Sequence, residues 1–137
     1  MPKKIKIYFA HSMTSLTRTQ SAANALKFRK MLGPKYDVRI PELWQSEITF
    51  ETIFKRDTDE LSACEIVVFD PKYIGEIVKG KVVIGRGAFE EIGFAKALKK
   101  IVIEINDTNI SHPFSCGATK VVSSLKEAVK FVRGLKI

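Results

Sequence analysis

The stretch "EIVVFD" (65–70) sets four apolar residues, three of them β-branched, between two acids. A short apolar run of this kind is typical of a central strand in a parallel sheet that is buried on both faces. The runs "KIKIYFA" (4–10), "YDVRI" (36–40) and "IVIEI" (101–105) also predict strands, and "KVVSS" predicts a short last one. The chain therefore contains the strands of a sheet, spread over most of its length.

Helical patterns lie between these strands, over about 16–32, 48–63 and 88–100, and a last helix opens at the capping-box spacing of Ser124 and Glu127. Gly33-Pro34 should end the first helix. The connection 71–87 is long, and a small hairpin is predicted in it around Lys79-Gly80. The order β-α-β-α-β-α-β-(β)-α predicts an α/β fold, a flavodoxin-like or Rossmann-like three-layer sandwich with a central, mostly parallel sheet of four to five strands. The first helix carries Ala22, Ala23, Leu26 and Met31 among its apolar positions.

Length and composition favour one globular domain, residues 1–137. No apolar run approaches the roughly 20 residues that span a bilayer, so no membrane partner is expected. The apolar part of the N-terminus is too short for a secretory signal, which makes the cytoplasm the expected compartment. Cys64 and Cys116 lack ligand spacing, so we expect reduced, partly buried thiols and no metal.

The formal net charge of +8 would permit a nucleic-acid partner. The basic residues are spread along the chain, and the two densest groups, "KFRK" (27–30) and "KALKK" (96–100), have helical spacing. Solvated helix faces explain them, and no aromatic, basic stripe is present. A nucleic-acid-binding module stays open as a third possibility, but we do not expect it.

Ligands of such sheets bind outside the carboxyl ends of the strands. The segments at those ends are "AHSM" (10–13), the aspartate that closes the central strand, and the loop that leads into "GRGAFEE" (85–91). Glycines in that loop can bring backbone amides close to an anion. The candidate substrate-binding residues are therefore Ala10, His11, Ser12, Met13, Asp70, Gly85, Arg86 and Gly87.

One carboxylate, Asp57, lies where an apolar side chain is expected. It falls on the stripe formed by Phe50, Phe54 and Leu61, whereas its neighbours Arg56, Asp59 and Glu60 look like exposed charges. A buried carboxylate needs a partner or a task. An internal ion pair or a cap for another loop would explain it without any catalytic role.

Two more acids, Glu90 and Glu91, fall in the apolar arc of the third helix. Glu91 is nearer its centre, in phase with Phe94, Ala95 and Leu98. The alternative is an ordinary helix-start charge, since the macrodipole favours acids in a first turn. That alternative accounts for an exposed acid better than for an inward-facing one.

Three stretches, in order, resemble the nucleoside 2-deoxyribosyltransferase family, which includes the 2'-deoxynucleoside 5'-monophosphate N-glycosidases. They are "KIYFAHSM", "RDTDELSACEIVVFD" and "GRGAFEEIGFAKALKKIVI", and they span about residues 4–105. The resemblance implies that Glu91 is the nucleophile, that Asp57 orients it and the sugar, and that the hydroxyl of Tyr8 contacts it. Glu90 would be a capping neighbour.

The resemblance further implies cleavage or transfer of the N-glycosidic bond of a 2'-deoxynucleoside or its 5'-monophosphate, with no cofactor. It also implies a homo-oligomer, a dimer or higher, and a small-molecule nucleoside or nucleotide as the binding partner. Two residues depart from the family pattern: His11 replaces a glycine, and Gly85 replaces an aspartate or serine. Fold alone does not establish catalysis, so a non-catalytic nucleotide-binding or sensor domain remains the alternative.

Overall fold

The computed structural model describes residues 3–10, 18–41, 50–70, 77–78, 81–82, 86–107 and 118–136. In chain order its elements are β1 (Ile5–Ala10), α1 (Arg18–Leu32), β2 (Tyr36–Arg39), α2 (Phe50–Ser62), β3 (Ile66–Phe69), β4 (Ile77–Val78), β5 (Lys81–Val82), α3 (Arg86–Ala97), β6 (Ile101–Ile105), β7 (Lys120–Val122) and α4 (Leu125–Gly134). Helices and strands alternate along the described chain except at β4 and β5, which follow β3, and at β7, which follows β6.

Five strands form one sheet in the order β2-β1-β3-β6-β7, and every neighbouring pair in it is parallel. This confirms the predicted α/β class with a flavodoxin-like or Rossmann-like central sheet. Strands β4 and β5 pair antiparallel with each other, which confirms the small hairpin predicted around residues 79–80. The apolar runs became central strands because both of their faces are covered by helices.

The sheet separates two hydrophobic clusters. On one face, buried side chains of α1 and α4, such as Phe28 and Val129, pack on Ile7, Phe9 and Val68. On the other face, α2 and α3 pack on the alternate residues of the same strands, with the cluster Tyr8, Ala10, Leu61, Cys64, Val67, Phe69, Ile92, Ala95 and Val102. Because side chains alternate along a strand, the register of β1 and β3 decides which residues face which pair of helices.

Helix α1 ends as predicted but presents a different face to the core. Gly33, with a φ of 92°, donates its N–H to the Arg29 carbonyl oxygen at 3.1 Å and stops the helix. The residues buried on the sheet are Ala25, Phe28 and Leu32, whereas Ala23, Lys27, Arg29 and Lys30 are exposed. Two of the apolar positions named in the sequence, Ala23 and Leu26, are exposed, because small and aliphatic residues tolerate exposure and only the wider periodicity marks the buried stripe.

Helix α3 begins two residues earlier and ends three residues earlier than predicted. Arg86 and Gly87 are its first residues rather than part of a loop. At its other end Lys99 has a φ of 59°, so the chain turns out of the helix before Lys100. Leu98, predicted to be part of the apolar arc, is 42% exposed for this reason.

Helix α4 begins at the predicted capping box. The Ser124 hydroxyl oxygen accepts the Glu127 N–H at 3.2 Å, and Glu127 Oε2 accepts the Ser123 N–H at 2.8 Å. These contacts satisfy backbone donors that the first turn of a helix leaves unpaired. The backbone partner of Glu127 is one residue earlier than in the usual capping box, which uses the N–H of the cap residue itself.

Cys64 is 1% exposed and carries a free thiol, as predicted. Burial raises its pKa to about 12, so the thiol stays protonated near neutral pH and is a poor nucleophile. Cys116 lies outside the described residues. In the part of the chain that the structure covers, no helix is long and apolar enough to span a bilayer.

The cap of α4 gives the first testable prediction. Substituting Ser124→Ala should lower the free energy of unfolding by about 1 kcal/mol, because the Glu127 N–H loses its acceptor. Urea unfolding followed by circular dichroism measures the change. Lys126→Ala, at an exposed position in the same turn, is the matched control, and an equal loss in both variants would contradict the capping role.

Candidate active site

Glu91 and Tyr8 meet across 83 residues of sequence. Tyr8 is fully buried in β1 and points toward the α2–α3 face, and Glu91 is a half-buried residue of the second turn of α3. The Tyr8 hydroxyl donates a hydrogen bond to Glu91 Oε1 at 3.3 Å. The structure thus brings together the two residues that the family resemblance pairs, while their catalytic roles remain predictions.

The length of this hydrogen bond bears on what it can do. Hydroxyl-to-oxygen bonds usually measure about 2.7–2.8 Å, so the contact between Tyr8 and Glu91 is a weak one in the free protein. Hydrogen bonds of catalytic groups are often long in unliganded sites and shorten around substrate. The contact gives the Glu91 carboxylate one orienting hydrogen bond.

The position of Glu91 in α3 rules out the helix-start explanation. Because α3 begins at Arg86, Glu90 and Glu91 are its fifth and sixth residues, and no acid lies in its first turn. The macrodipole stabilises acids only within about the first turn. The interpretation of Glu90 as a capping neighbour is therefore wrong; its side chain lies outside the described part of the structure.

Asp57 is half-buried in α2 and has a partner on its own helix. Arg56 Nε and Arg56 Nη2 each lie 2.9 Å from Asp57 Oδ1, and only 24% of the Arg56 side chain is exposed. The prediction that Arg56 is an ordinary exposed charge is wrong, because it turns along the helix to meet the carboxylate. This ion pair is the kind of partner that a half-buried carboxylate needs.

Glu60 was also predicted to be an exposed charge, and this too is wrong. Its carboxylate accepts two hydrogen bonds from Arg39, at 2.9 and 3.1 Å, in the forked geometry of a strong ion pair. Hydrogen bonding to Glu60 raises the pKa of Arg39. The pair ties α2 to the edge strand β2, whereas Asp59 pairs with Lys55 and is largely exposed, as predicted.

Asp70 is buried on the side of the sheet that faces α1. It follows β3 directly and is 1% exposed, and its Oδ2 accepts a hydrogen bond from Asn24 Nδ2 on α1. Its backbone N–H donates to the Ala10 carbonyl oxygen at 2.9 Å, so the carboxyl ends of β1 and β3 are held together. Phe69 packs toward α2 and α3, and the alternation of the strand turns Asp70 the other way, away from Tyr8.

Glu104 is a buried carboxylate that the sequence analysis missed. It lies in β6, is 1% exposed, and pairs in register with Phe69. Because Val102 packs on the α2–α3 face, Glu104 faces that side as well, the side on which Tyr8 meets Glu91. The signal was present in "IVIEI", where one acid stands inside an apolar run, much as Asp57 and Glu91 stand on apolar helix faces.

The other predicted site residues divide into two groups. Ala10 ends β1 and is 2% exposed, while Arg86 and Gly87 open α3 through their described backbone. The predictions for His11, Ser12, Met13 and Gly85 fall outside the described residues. Among the side chains that the structure describes, no group of three histidine, cysteine, aspartate or glutamate residues is placed to hold a metal ion.

The described chain forms a five-stranded parallel sheet with Tyr8 and Glu91 meeting on one of its covered faces, and several solved structures share this fold. A conserved protein from Enterococcus faecalis V583 superimposes with a TM-score of 0.71 and 18% identity over 96% of this chain and 98% of that one. The 2-deoxyribosyltransferase of Bacillus psychrosaccharolyticus gives 0.67 and 18% identity over 96% and 93%. The CMP N-glycosidase BcmB of Clostridium botulinum gives 0.60 and 15% identity over 93% and 97%.

No family model matches the chain, and no curated protein matches it significantly. The identities of 15–18% mean that these likenesses concern the fold. They support the resemblance to the nucleoside 2-deoxyribosyltransferase family at that level and over nearly the whole chain.

The contact between Tyr8 and Glu91 can be measured in the free protein. In a double-mutant cycle with Tyr8→Phe and Glu91→Ala, we expect a coupling of about 0.5–1 kcal/mol in the free energy of unfolding, since either substitution removes the one long hydrogen bond. Tyr36→Phe is the control, because Tyr36 is 8% exposed and its hydroxyl has no hydrogen-bond partner among the described residues. Additive effects of the two site substitutions would contradict the contact.

Proposed function

We propose that the protein cleaves or transfers the N-glycosidic bond of 2'-deoxynucleosides or their 5'-monophosphates, with Glu91 as the nucleophile. The observation that carries the proposal is the hydrogen bond from the Tyr8 hydroxyl to Glu91 Oε1 at 3.3 Å. Its support from outside the chain is the fold shared with a 2-deoxyribosyltransferase and a CMP N-glycosidase.

The proposed reaction is a double displacement at C1'. A Glu91 carboxylate oxygen attacks C1', the bond from C1' to the base nitrogen breaks, and the base leaves with the bonding electrons. A water molecule or a second base then attacks C1' of the glycosyl ester, loses a proton, and releases the Glu91 carboxylate. Two inversions give net retention, and the negative charge of the carboxylate stabilises the oxocarbenium-like transition states.

Tyr8 and Asp57 have positioning tasks in this proposal. The Tyr8 hydroxyl holds one oxygen of Glu91 and leaves the other to attack C1'. Asp57, held by its ion pair with Arg56, orients the nucleophile and the sugar. The departing base takes a proton from a protein group or from solvent.

A base-release assay tests the nucleophile. The wild-type protein is incubated with deoxynucleosides and with their 5'-monophosphates, and the free base is quantified by chromatography. We expect Glu91→Ala to lose at least about a thousandfold in kcat, since the covalent route is removed. Mass spectrometry of a rapidly quenched reaction should find the deoxyribosyl adduct on the peptide that contains Glu91.

Glu90→Ala is the matched control, because Glu90 is the adjacent acid on the same helix. It should keep most of the activity, while full activity in Glu91→Ala would refute the proposed nucleophile. A wild-type protein that binds nucleotide and releases no base from any substrate would instead favour the sensor alternative. An acceptor base added to the assay separates the transferase, which forms a new nucleoside, from the hydrolase, which forms the free sugar.

The start of α3 favours a 5'-phosphate on the substrate. The first turn of a helix offers unpaired N–H groups and a partial positive charge to an anion, and in α3 that turn opens with Arg86 and Gly87. We expect Arg86→Ala to lower kcat/KM for 5'-monophosphates about tenfold, as for loss of one charged hydrogen bond, with little change for nucleosides.

Lys96→Ala is the control for that substitution, because Lys96 is an exposed cation at the other end of α3. Steady-state kinetics on matched nucleoside and nucleotide pairs measures the effect. Equal losses on both substrate classes in Arg86→Ala would contradict phosphate recognition.

The expected homo-oligomer and the single domain both stay predictions.

A further inference from the structure

A cavity of about 450 Å³ lies where α1 ends and the strands β1 and β2 begin. Three cations, Lys4, Arg29 and Lys30, line it together with Tyr36 and Asp37. Cavities of this size can hold a small molecule. This one lies at the amino end of the sheet, whereas the candidate substrate-binding residues follow the carboxyl ends of the strands. It is therefore separate from the site described above.

The three cations have no ion-pair partner in the described part of the chain. Each is exposed, and none of their side chains makes an ion pair or a hydrogen bond with another described residue. Ile5 and Tyr36 face each other across β1 and β2, and the exposed Lys4 and Lys35 directly precede them. Like charges at neighbouring strand positions repel each other. A bound anion would relieve this repulsion.

The end of α1 does not account for the two cations that it carries. Basic residues in the last turn of a helix usually interact with its free carbonyl oxygens. Here the Met31 and Leu32 carbonyl oxygens accept hydrogen bonds from Arg133 Nη2 of α4, at 2.8 and 3.1 Å. Because Arg133 already brings a positive charge to these oxygens, the side chains of Arg29 and Lys30 are not needed there.

Asp37 is the acid in the lining, and Arg39 offsets part of its charge. Arg39 Nη1 lies 3.8 Å from Asp37 Oδ1, and the two side chains are 34% and 35% exposed. Three cations thus line the cavity against one acid that has a cation of its own. A concave surface with this excess of positive charge attracts anions.

Tyr36 gives the cavity a buried hydroxyl group. The residue is 8% exposed and belongs to the hydrophobic cluster that contains Phe28 and Val38, and it also lines the cavity. Its hydroxyl has no hydrogen-bond partner among the described residues. A buried tyrosine hydroxyl usually has one. An oxygen of a bound ligand would supply it.

We propose that this cavity binds the phosphate groups of a small soluble diphosphate or triphosphate. The Arg29 guanidinium presents N–H groups in a fork that matches two phosphate oxygens, while Lys4 and Lys30 supply point charges. The Tyr36 hydroxyl donates to a further oxygen. Two or three linked phosphates suit three cations better than one phosphate does, because they carry more negative charge. The inference does not rest on the proposed function.

The sheet separates the cavity from the contact between Tyr8 and Glu91. Tyr36 and Val38 belong to the cluster on the α1–α4 face, whereas Tyr8 belongs to the cluster on the α2–α3 face, where it meets Glu91. A phosphate bound in the cavity therefore leaves the Glu91 carboxylate in place and does not compete with a substrate beside it.

Titration calorimetry on the whole chain at low ionic strength tests the proposal, with pyrophosphate as the first ligand. We expect Arg29→Ala to weaken pyrophosphate binding about tenfold, because one charged hydrogen-bonding group is lost. The double variant R29A/K30A should weaken it about a hundredfold, and Tyr36→Phe, which removes one neutral donor, about threefold. Urea unfolding of each variant checks that the fold is kept.

Lys27→Ala is the matched control, because Lys27 is an exposed cation of the same helix that does not line the cavity. It should bind pyrophosphate within about twofold of wild type. An equal loss in Lys27→Ala and Arg29→Ala would mean that only the overall charge attracts the ligand, which overturns the proposal. So does a wild type that shows neither binding heat nor a shift in thermal unfolding with pyrophosphate.

Arg86→Ala distinguishes the cavity from the start of α3, where recognition of a 5'-phosphate is also proposed. Pyrophosphate should bind this variant as it binds the wild type. A loss as large as that in Arg29→Ala would place the pyrophosphate at α3 and overturn the proposal. None of these measurements depends on base release, so the proposed function and the cavity can fail separately.

Two further ligands identify the source of the phosphate groups. Equal affinities for pyrophosphate and ATP would show that the phosphates alone are recognised. Tighter binding of ATP, lost in the same variants, would show that the nucleoside part contacts the protein as well, and both results support the proposal. Tighter binding of a short single-stranded DNA than of ATP would instead identify a nucleic-acid surface and overturn it.

Discussion

The parallel pairing of β1 with β3 is the constraint on which the rest of the structure depends. In this register Tyr8 lies opposite Val67 and Ala10 opposite Phe69, and all four side chains face α2 and α3. A slip of one residue would turn Tyr8 toward α1 and remove it from Glu91, because side chains alternate strictly along a strand. Hydrophobic burial on both faces fixes the register, so the packing that makes the core also directs the hydroxyl toward the carboxylate.

The sequence predicted the sheet well because the evidence for it is local. Runs such as "EIVVFD" are too apolar to lie anywhere but between two layers of helices, and turn residues such as Gly33 mark where the elements end. The first residue of α3 was harder to predict, because Gly87 is a poor helix former and glycine is typical of loops. The other end of α3 is set by Lys99, whose positive φ has no sequence signature comparable to that of a glycine.

The site was predicted less completely, for a physical reason. Helical phase could single out Asp57 and Glu91 as acids on apolar faces, because phase is a property of one element. It could not supply the partners, since Arg56 reaches Asp57 through a side-chain rotamer, and Asn24 reaches Asp70 across 46 residues. Glu104 was missed for a different reason. It is a single acid in an apolar run, and a run of this kind still predicts a strand when one of its residues is polar.

The sheet keeps two polar contacts apart. On the α2–α3 face, Tyr8 meets Glu91 beside Leu61 and Ile92. On the α1 face, the Asp70 side chain is bonded to Asn24, while its backbone N–H joins the carboxyl ends of β1 and β3. Because the central strands β1 and β3 stand between the two contacts, side chains on the α1 face can vary with little effect on the geometry of the Glu91 carboxylate.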